Sequence, residues 1–425
     1  MTAALVVIVG TTILVALAVR WVPAQPSVEV TADDVDVDFS AAEQERERRF
    51  RRRVRPWGLA SVLLDVVVVT VLTFTGAIAS ATAASPGPWW VKVVVGTTVV
   101  LLASRLATLP SAVAVRRASL AVGLATGPWR RWLRDLLVAF GLSWLLVTAA
   151  MVGWVGAVRL WPSSWWVVLG LAAAAVVVVL SFLVPVVVEP LFSRFAPMPQ
   201  GPLRDRLLGL ARDDGVEVRD VLVADASRRT SALNAYVSGL GSTRRVVVHD
   251  TLLEAGHDDE VHAVVAHELG HVVAGDVRTG TVLGAAGAAL GVAAASVLLA
   301  WPGLLSASHV HSASDPAVVG LLLTLGAWAG LLGSPLQSAV SRRIERRADR
   351  HCLDLTADPR TVARMHRSLA ITNLAALQPP RLLHLWFGTH PTSPERIAAA
   401  RAWARDHRVE VPDSMRPAGE SSAEC

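Results

Sequence analysis

Long apolar runs alternate with polar segments along this chain, and the runs are long enough to cross a lipid bilayer. The hydrocarbon core of a membrane is about 30 Å thick, which a helix of about 20 apolar residues spans. We count seven such runs, which lie at about 3–19, 57–79, 89–109, 136–158, 165–188, 281–301 and 317–334. The pattern therefore predicts an α-helical polytopic membrane protein with about seven transmembrane helices.

The runs divide the chain into four parts. Residues 1–191 form an N-terminal membrane region with five spans and basic loops, and residues 279–335 form a second membrane region with two spans. The polar stretches 192–278 and 336–425 are predicted to form the soluble part. Asp65 lies within the second run, where a carboxylate is costly, and the sequence shows no partner for it.

Basic residues decide the orientation in the membrane, because cytoplasmic loops carry an excess of arginine and lysine. The predicted loops after the first and third runs are rich in arginine, namely Arg46, Arg48, Arg49, Arg51, Arg52, Arg53, Arg55, Arg116, Arg117, Arg130, Arg131 and Arg134. The loops at 85–88, 161–164 and 303–316 carry almost no positive charge. This asymmetry predicts an N-terminus outside, a C-terminus in the cytoplasm, and two polar stretches that both face the cytoplasm.

The composition supports a membrane protein and narrows its partners. Hydrophobic residues make up 53% and charged residues 18% of the chain, against about 45–50% and about 25% in an ordinary globular protein. The net charge is only +5, and its basic excess lies beside the apolar runs, which argues against nucleic acid as a partner. Two cysteines, Cys352 and Cys425, cannot frame a disulfide-rich secreted module. Lys92 is the only lysine, and this arginine bias, together with the alanine- and valine-rich runs, is typical of a bacterial protein, so we expect the membrane to be a bacterial plasma membrane.

Short β-rich segments precede a helix in the first polar stretch. Residues 216–224 are typical of a strand, and residues 233–238 and 244–249 are joined by a glycine-containing segment that is typical of a hairpin. Residues 258–274 begin with acidic residues and are followed by Gly275, as the two ends of a helix favour. We therefore predict a small β-hairpin followed by a helix.

That helix contains the sequence His267-Glu268-Leu269-Gly270-His271. Two histidines at i and i+4 project from the same helical face and can reach one zinc ion, while the glutamate between them can act as a base on a nearby water. The alternative is an ordinary helix with two partly exposed histidines. The flanking residues are apolar, so the helix is predicted to be buried, and burial of these polar side chains without a partner is costly. The pattern therefore favours a zinc site.

A catalytic zinc ion needs a third protein ligand and an open position for water. Glu345 and Asp349 lie four residues apart beyond the last apolar run, so both carboxylates face the same way on a helix. One can bind the metal while the other accepts the ring N–H of a ligand histidine. One alternative is an exposed helix of alternating charge that is stabilised by i,i+4 pairs. Another is that His351 is the ligand in place of Glu345.

Several motifs in this order and spacing resemble the type I CAAX prenyl endopeptidases, a family of zinc-dependent integral-membrane proteases. The likeness is strong from about residue 186 to residue 400. Besides the HExxH motif it rests on Glu345-x-x-Ala348-Asp349, Asn234-Ala235-Tyr236, Ser227-Arg228-Arg229-Thr230, Asp250-Thr251-Leu252-Leu253, His390-Pro391 and Arg396-Ile397. This combination is far more specific than HExxH alone. It implies a zincin-like peptidase on a helical membrane protein whose helices enclose a chamber for peptides.

The resemblance implies a role for each residue of the metal site. Zn²⁺, one ion per chain, is bound by His267, His271 and Glu345. Glu268 is the general base, and the Asp349 carboxylate accepts a hydrogen bond from the ring N–H of a ligand histidine. In this chemistry zinc polarises the scissile carbonyl, and the base takes a proton from water and later passes it to the leaving amine.

The resemblance also implies residues that contact the substrate. His390 and Arg396 match positions that are candidates to stabilise the oxyanion. The alternative for them is a His-Pro turn at the start of a helix with an exposed arginine. Asn234, Ala235 and Tyr236 fall on a predicted edge strand with which an extended peptide can pair, and the alternative is an ordinary structural strand.

We therefore predict a zinc-dependent integral-membrane endopeptidase that hydrolyses peptide or protein substrates at a cytoplasm-facing site. Prenylated CAAX proteins are a eukaryotic class, so the resemblance is taken to imply the reaction and not a lipid-modified substrate. One alternative is a membrane-protein quality-control or regulatory metalloprotease without prenyl specificity. Another is a non-enzymatic transporter or scaffold with structural zinc, but such a site is normally closed by four protein ligands and has no use for Glu268.

Overall fold

The computed structural model describes residues 2–239, 241–255 and 257–416, so Cys425 lies outside the described residues. This part of the chain is mostly helical, with one small sheet. The helices are α1 (Thr2–Trp21), α2 (Ala32–Asp38), α3 (Ala41–Phe74), α4 (Ala77–Ala84), α5 (Trp89–Ala121), α6 (Trp129–Leu160), α7 (Trp165–Leu183), α8 (Glu189–Phe192), α9 (Pro202–Asp213), α10 (Asp250–Ala255), α11 (Asp258–Val273), α12 (Asp276–Leu298), α13 (Pro302–Ala307), α14 (Val318–Thr356), α15 (Pro359–Thr372), α16 (Arg381–Phe387) and α17 (Ser393–Asp406). The strands are β1 (Phe195–Pro197), β2 (Asp220–Ala224), β3 (Ala235–Ser238) and β4 (Arg245–His249).

Seven helical stretches among the described residues are long and apolar enough to cross a membrane. They are α1, α3, α5, α6, α12, α14 and the stretch Trp165–Phe192, in which a π-helical turn joins α7 to α8. Each overlaps one of the predicted apolar runs. Large apolar side chains such as Leu145, Leu171 and Leu332 are exposed on these helices, as contact with lipid requires. The prediction of a seven-span helical membrane protein is confirmed.

The arginine-rich segments differ from the expectation of loops, because the structure extends membrane helices through most of both. Ser40 begins α3 ahead of the first cluster, and the Glu43 carboxylate accepts the Ser40 N–H at 2.9 Å in a capping box. Arginine and glutamate are good helix formers, so the polar sequence continues the helix without a break. Residues 46–55 are therefore the polar beginning of the second span, and Arg116 and Arg117 lie near the end of the third.

The last membrane helix is also longer than its apolar run. The helix α14 has 39 residues and continues through Pro335, although proline removes one backbone N–H donor. The sequence boundary between residues 335 and 336 therefore falls inside a single helix. Its polar end carries Glu345 and Asp349 out of the apolar run, so both carboxylates stand on the rigid extension of a membrane helix.

The sheet has four strands in the order β1-β2-β4-β3. Strands β3 and β4 are antiparallel neighbours, with Tyr236 opposite Val247, which confirms the predicted hairpin. Strand β2 pairs with β4 in parallel, and β1 pairs with β2 in the antiparallel sense. The strand predicted over residues 216–224 is shorter and begins at Asp220. Strand β3 lies at one edge of the sheet.

The larger hydrophobic core of the soluble part draws on distant segments of the chain. Side chains of α9, α11 and α17 are fully buried in it, among them Leu207, Leu269 and Ile397. Phe39, which follows α2, is fully buried in the same core. Asp38 next to it forms a buried ion pair with Arg401 at 2.6 Å. The segment between the first two spans therefore belongs to the soluble core, which no local sequence pattern indicates.

Candidate active site

The HExxH helix α11 packs closely against α14, and Gly270 makes the close packing possible. A Cβ atom at this position would lie 3.2 Å from the Cα of Ala348 and 3.1 Å from the Cβ of His351. These separations are tighter than ordinary side-chain contacts, so a residue without a Cβ lets the two backbones approach. Gly275, with φ of +67°, follows the helix four residues after His271. The approach brings the polar end of α14 opposite the two histidines.

Donor atoms from three residues converge where the two helices meet. The Nε2 atoms of His267 and His271 are 3.2 Å apart. Glu345 from α14 places Oε2 at 3.4 Å from the Nε2 of His267 and Oε1 at 3.7 Å from the Nε2 of His271. Glu268 lies beside the pair, because it and the two histidines each place a potential ligand atom within 4.8 Å of the others. The structure thus brings together the residues that the sequence analysis names for the metal and the base.

The chemistry and the spacing of these donors fit a zinc ion. Zinc takes imidazole nitrogen and carboxylate oxygen at about 2.0–2.2 Å in a tetrahedron, which places ligand atoms about 3.4 Å apart. The three separations of 3.2, 3.4 and 3.7 Å lie around that value. Two histidines and one carboxylate leave a fourth tetrahedral position for water or substrate, as catalytic sites require.

Each histidine turns its other ring nitrogen toward an aspartate. The Nδ1 of His267 lies 3.0 Å from Asp349 Oδ1, and the Nδ1 of His271 lies 2.8 Å from Asp276 Oδ2. These contacts favour a proton on Nδ1 and leave both Nε2 atoms available to a metal. The sequence identifies Asp349 but gives no comparable signal for Asp276, because an acidic residue in the first turn of α12 is typical of an ordinary helix.

Two arginines hold these aspartates in place. Arg396 donates from Nε to Asp349 Oδ2 at 2.8 Å and from Nη2 to Oδ1 of the same carboxylate. Arg347 donates from Nη2 to Asp276 and from Nη1 to the carbonyl oxygen of Trp21 at 3.0 Å. A bidentate arginine–carboxylate pair fixes the orientation of both partners. The last residue of α1 is thereby tied to the site, although the sequence contains no signal for this contact.

Burial and neighbouring charges shift the pKa values of the buried groups. Burial lowers the pKa of His267, but hydrogen bonds to Asp349 and Glu345 outweigh this effect and raise the pKa to about 9. Burial raises the pKa of the Glu268 carboxyl. His366 is almost completely buried, 3.5 Å from Asp349, and burial lowers its pKa to about 4. His366 is therefore neutral near pH 7, whereas His267 holds a proton that a metal at Nε2 would displace.

His390 and Arg396, the two expected oxyanion donors, have different surroundings. The side chain of His390 is 59% exposed, and its Nε2 lies 3.4 Å from Glu345 Oε1. Its Nδ1 lies 2.9 Å from the hydroxyl of Thr389. Arg396 has a side chain only 12% exposed and already pairs with Asp349. The imidazole is thus the more accessible of the two donors.

The three residues expected at the substrate strand are also placed differently from one another. Asn234 is exposed and lines the cavity at the site. Ala235 is buried in the core at the beginning of β3. The hydroxyl of Tyr236 donates to Glu189 at the end of the fifth span, at 3.4 Å. The structure thus exposes the Asn234 side chain to the cavity and gives Tyr236 a partner from a membrane helix.

His351, the alternative ligand, points elsewhere. Its Nε2 lies 2.9 Å from a carboxylate oxygen of Asp214, just after α9. The neighbouring Cys352 is fully buried, and its Sγ donates to the carbonyl oxygen of Ala263 at 3.3 Å. Glu345 therefore has the better position for a ligand, and the thiol is a small core residue.

A cavity of about 850 Å³ lies over the site and is large enough for several residues of a peptide. His267, Glu268, His271 and Glu345 form part of its wall. Another part comes from α3 and is basic at one end and apolar at the other, with Arg51, Val54, Arg55, Gly58, Leu59 and Val62. The loop and helix after α15 complete the wall with residues that include Leu383 and Phe387.

Comparisons with known proteins agree with this geometry. Residues 197–404 match the profile of peptidase family M48. A protein of Bacillus subtilis (strain 168), named uncharacterized metalloprotease YhfN, is 30% identical over 304 residues, which are 71% of each chain. The CAAX prenyl protease 1 homolog of Dictyostelium discoideum is 27% identical over 272 residues, which are 61% of this chain and 60% of that protein. The crystal structure of S. mikatae Ste24p superposes with a TM-score of 0.74 at 19% identity, covering 94% of this chain and 98% of that one.

The fold, the site and these relatives define an integral-membrane metalloendopeptidase. The chain belongs to peptidase family M48. The expected resemblance to CAAX prenyl proteases is confirmed, and so is the expectation of a multi-pass membrane hydrolase that acts on peptides or proteins. The alternative of a non-enzymatic transporter or scaffold does not agree with membership of a peptidase family.

Replacement of Asp276 by asparagine is expected to weaken metal binding by about 10–100-fold, because the amide cannot hold the proton on His271 Nδ1 as a carboxylate does. Chelator competition on the purified protein measures this affinity without any need for turnover. Asp213→Asn, at an exposed end of α9, is the matched control and should bind metal as the wild type does. Equal affinity in Asp276→Asn and wild type would contradict the role of this contact.

Proposed function

We propose that this chain is a zinc-dependent endopeptidase that carries one Zn²⁺ ion on His267, His271 and Glu345. The observation that supports this most directly is the convergence of their donor atoms at separations of 3.2 to 3.7 Å, the spacing of tetrahedral zinc ligands. Zinc bound there would supply Lewis acidity to the scissile carbonyl and to the attacking water.

Glu268 acts first as general base and then as general acid. One of its carboxylate oxygens lies within 4.8 Å of a ring nitrogen of each histidine, close enough to act on a water bound between them. It takes one proton from the water as the water oxygen bonds to the carbonyl carbon. It returns that proton to the amide nitrogen as the C–N bond breaks, so the products are a carboxylic acid and an amine.

Asp349 and Asp276 are positioning residues for the two histidines. Each accepts from an Nδ1 at 3.0 Å or less, and each is held in turn by an arginine. Arg396 belongs to this group, because its guanidinium forms a bidentate pair with Asp349. Its side chain is 12% exposed and also lines the cavity, but its hydrogen-bonding groups are directed mainly to that carboxylate.

His390 is the better donor to the oxyanion. Its imidazole is exposed in the cavity wall, and its Nε2 faces Glu345 Oε1, which favours a proton on Nε2. The Thr389 hydroxyl then donates to Nδ1 and stabilises this tautomer. An Nε2–H near the metal site can donate to the carbonyl oxygen as negative charge develops on it.

The backbone around Asn234-Ala235-Tyr236 receives the substrate as an added strand. Strand β3 pairs only with β4 among the described residues, so its outer edge has free backbone donors and acceptors. An extended peptide along that edge gains main-chain hydrogen bonds that do not depend on its side chains. The exposed Asn234 amide adds a further contact from within the cavity, while Tyr236 anchors the strand to Glu189.

The substrate presents a hydrophobic or lipid-modified segment beside the cleaved bond. The cavity that the proposed metal ligands line also includes Leu59, Val62, Leu383 and Phe387, which favour apolar groups. Relatives of this chain are named CAAX prenyl proteases, which supports an attached lipid as one form of that segment. The 30% identical relative carries no substrate in its name, so a quality-control or regulatory role without prenyl specificity is the second candidate.

The active site faces the cytoplasm of a bacterial cell, with the N-terminus outside and the C-terminus inside. The arginines lie at the N-terminal end of α3, the C-terminal end of α5 and the N-terminal end of α6. Because successive spans run in opposite directions through the membrane, these three ends lie on the same side. Positive charge at these ends favours the cytoplasmic side. The bacterial relative at 30% identity supports a plasma membrane of this kind.

Glu268→Gln is expected to lose at least about 100-fold in kcat while it retains one zinc per chain, because general base catalysis contributes about 10²–10⁴-fold. Peptide cleavage and metal content are measured on the same detergent-purified samples. His271→Ala should lose both zinc and cleavage, which separates the base from the ligands. Cleavage that survives in Glu268→Gln would contradict the assignment.

The same assay decides between the two candidate substrates when one peptide is offered with and without a farnesyl group. Preference for the farnesylated form, with a lower KM, would support a lipid-modified substrate. Equal cleavage of both forms would assign the protein to the quality-control or regulatory class.

The proposed orientation predicts which cysteines a membrane-impermeant maleimide labels in intact cells. In a background with Cys425→Ser, Ser163→Cys lies in the loop between α6 and α7 and should be labelled from outside. Asp406→Cys, at the end of α17, should react only after the cells are opened. The reverse pattern would place the active site outside.

A further inference from the structure

One face of α3 enters the catalytic cavity and changes from basic to apolar along its length. Arg51 and Arg55 lie one helical turn apart and line the cavity at its basic end. Gly58, Leu59 and Val62 continue the same face toward the apolar part of the wall. The proposed chemistry of the metal site makes no use of the two arginines.

The two guanidinium groups are poorly satisfied by the protein itself. Arg51 donates from Nη2 to the carbonyl oxygen of Leu374 at 2.5 Å, but its buried Nε has no hydrogen-bond partner. That Nε lies 3.8 Å from the carboxylate of Glu47. Arg55 is half-buried and forms no hydrogen bond or ion pair with any residue that the structure describes. Both therefore have donors left for a ligand, because a guanidinium carries five N–H groups.

A second, smaller cavity of about 220 Å³ adjoins the first at these arginines. It shares Arg51, Arg55 and Pro380 with the catalytic cavity and is lined further by Arg48 and Arg52. Glu47 is the single acidic residue in its wall, against four arginines. Positive charge that is partly withdrawn from water without a matching anion is unfavourable, and a bound anion relieves it.

We infer that Arg51 and Arg55 form an anion-binding subsite at the basic end of the catalytic cavity, which takes a carboxylate of the substrate peptide. This inference rests on the proposed peptidase function and assigns a specificity determinant to it. Guanidinium groups match the planar, two-oxygen geometry of a carboxylate. The carboxylate can be the C-terminus of the peptide or the side chain of an aspartate or glutamate, since both present the same group.

The subsite has a consequence for where the peptide is cut. A carboxylate held by Arg51 and Arg55 fixes its own distance from Glu268 and Glu345, which line the same cavity. The bond that is cleaved then lies a fixed number of residues from the anion, because an extended peptide advances about 3.3 Å per residue. The position of the cleaved bond would thus be set by its distance from the bound carboxylate and not by the amino-acid sequence around it.

The test uses fluorogenic peptides that share one sequence around the cleaved bond. One ends in a free carboxylate, one in an amide, and a set of amides carries a single glutamate at successive positions. Each is assayed with wild type, Arg55→Gln, Arg55→Lys and the control Arg53→Gln, which alters an exposed arginine of α3 that lines neither cavity. KM and kcat are determined separately.

For wild type we expect amidation of the peptide to raise KM about 10-fold with little change in kcat, because the amide loses one charge-assisted contact with the arginines. Arg55→Gln should remove the difference between acid and amide, Arg55→Lys should restore part of it, and Arg53→Gln should behave as wild type. Rescue of an amide by glutamate at one position would identify a side chain as the natural anion. If glutamate rescues the amide at none of the positions, and the free acid is still preferred, the natural anion is the C-terminal carboxylate of the peptide.

Equal KM values for all peptides with wild type would overturn the subsite. An Arg55→Gln variant in which kcat/KM falls by the same factor for every peptide would also overturn it. An Arg55-dependent response to anionic lipid in reconstituted vesicles, without any response to the peptide carboxylate, would assign the arginines to lipid instead. Binding of the acid and amide peptides to Glu268→Gln, measured by fluorescence anisotropy, separates the two proposals. If no peptide is cleaved, the proposed function fails, while an Arg55-dependent preference in binding still supports the subsite.

Discussion

The close approach of α11 to α14 is the constraint on which the rest of the site depends. Gly270 lets the backbone of α14 come within 3.2 Å of where a Cβ would stand. Glu345 then reaches both histidines, and Asp349 reaches the back of His267. These carboxylates are buried, and buried anions are costly unless cations and hydrogen bonds compensate them. Arg396 and the histidines supply that compensation, so packing and electrostatics select the same arrangement.

The same arrangement connects the site to the membrane. The helix α14 is itself a span, and α12 begins only three residues after α11 ends. The first span joins them, because Arg347 contacts both Trp21 at the end of α1 and Asp276 behind His271. One span, α14, therefore carries a donor atom itself, and two more, α12 and α1, contact the site through Asp276 and Arg347. The cavity is bounded by another span, α3, so a peptide meets membrane helices and the metal site together.

Features with a local spacing could be predicted from the sequence. The apolar runs indicate the spans, the i,i+4 spacing places His267 beside His271, and the same spacing places Glu345 beside Asp349. The hairpin of β3 and β4 follows from two short β-rich segments and the turn between them. In each case the residues that interact are neighbours in sequence or repeat with the period of one element.

Contacts between distant segments could not be predicted in this way. Asp276 looks like an ordinary residue in the first turn of a helix, and nothing near Arg347 indicates that it reaches Trp21. The pairing of β2 with β4 and the burial of Phe39 in the soluble core are equally long-range. The arginines of α3 were misleading for a related reason, since a charge cluster indicates a membrane side and says nothing about whether the backbone there is a loop or a helix.

In the proposed site, two histidines and one glutamate, with no sulfur, hold a zinc ion with an open position. X-ray absorption at the zinc edge, measured on the detergent-purified protein and on Glu345→Ala, tests this claim most directly. The wild type should show about four nitrogen or oxygen atoms at about 2.0–2.2 Å, two of them from imidazole, and Glu345→Ala should bind zinc far more weakly. A zinc–sulfur distance of about 2.3 Å, or unchanged zinc binding without Glu345, would contradict the claim.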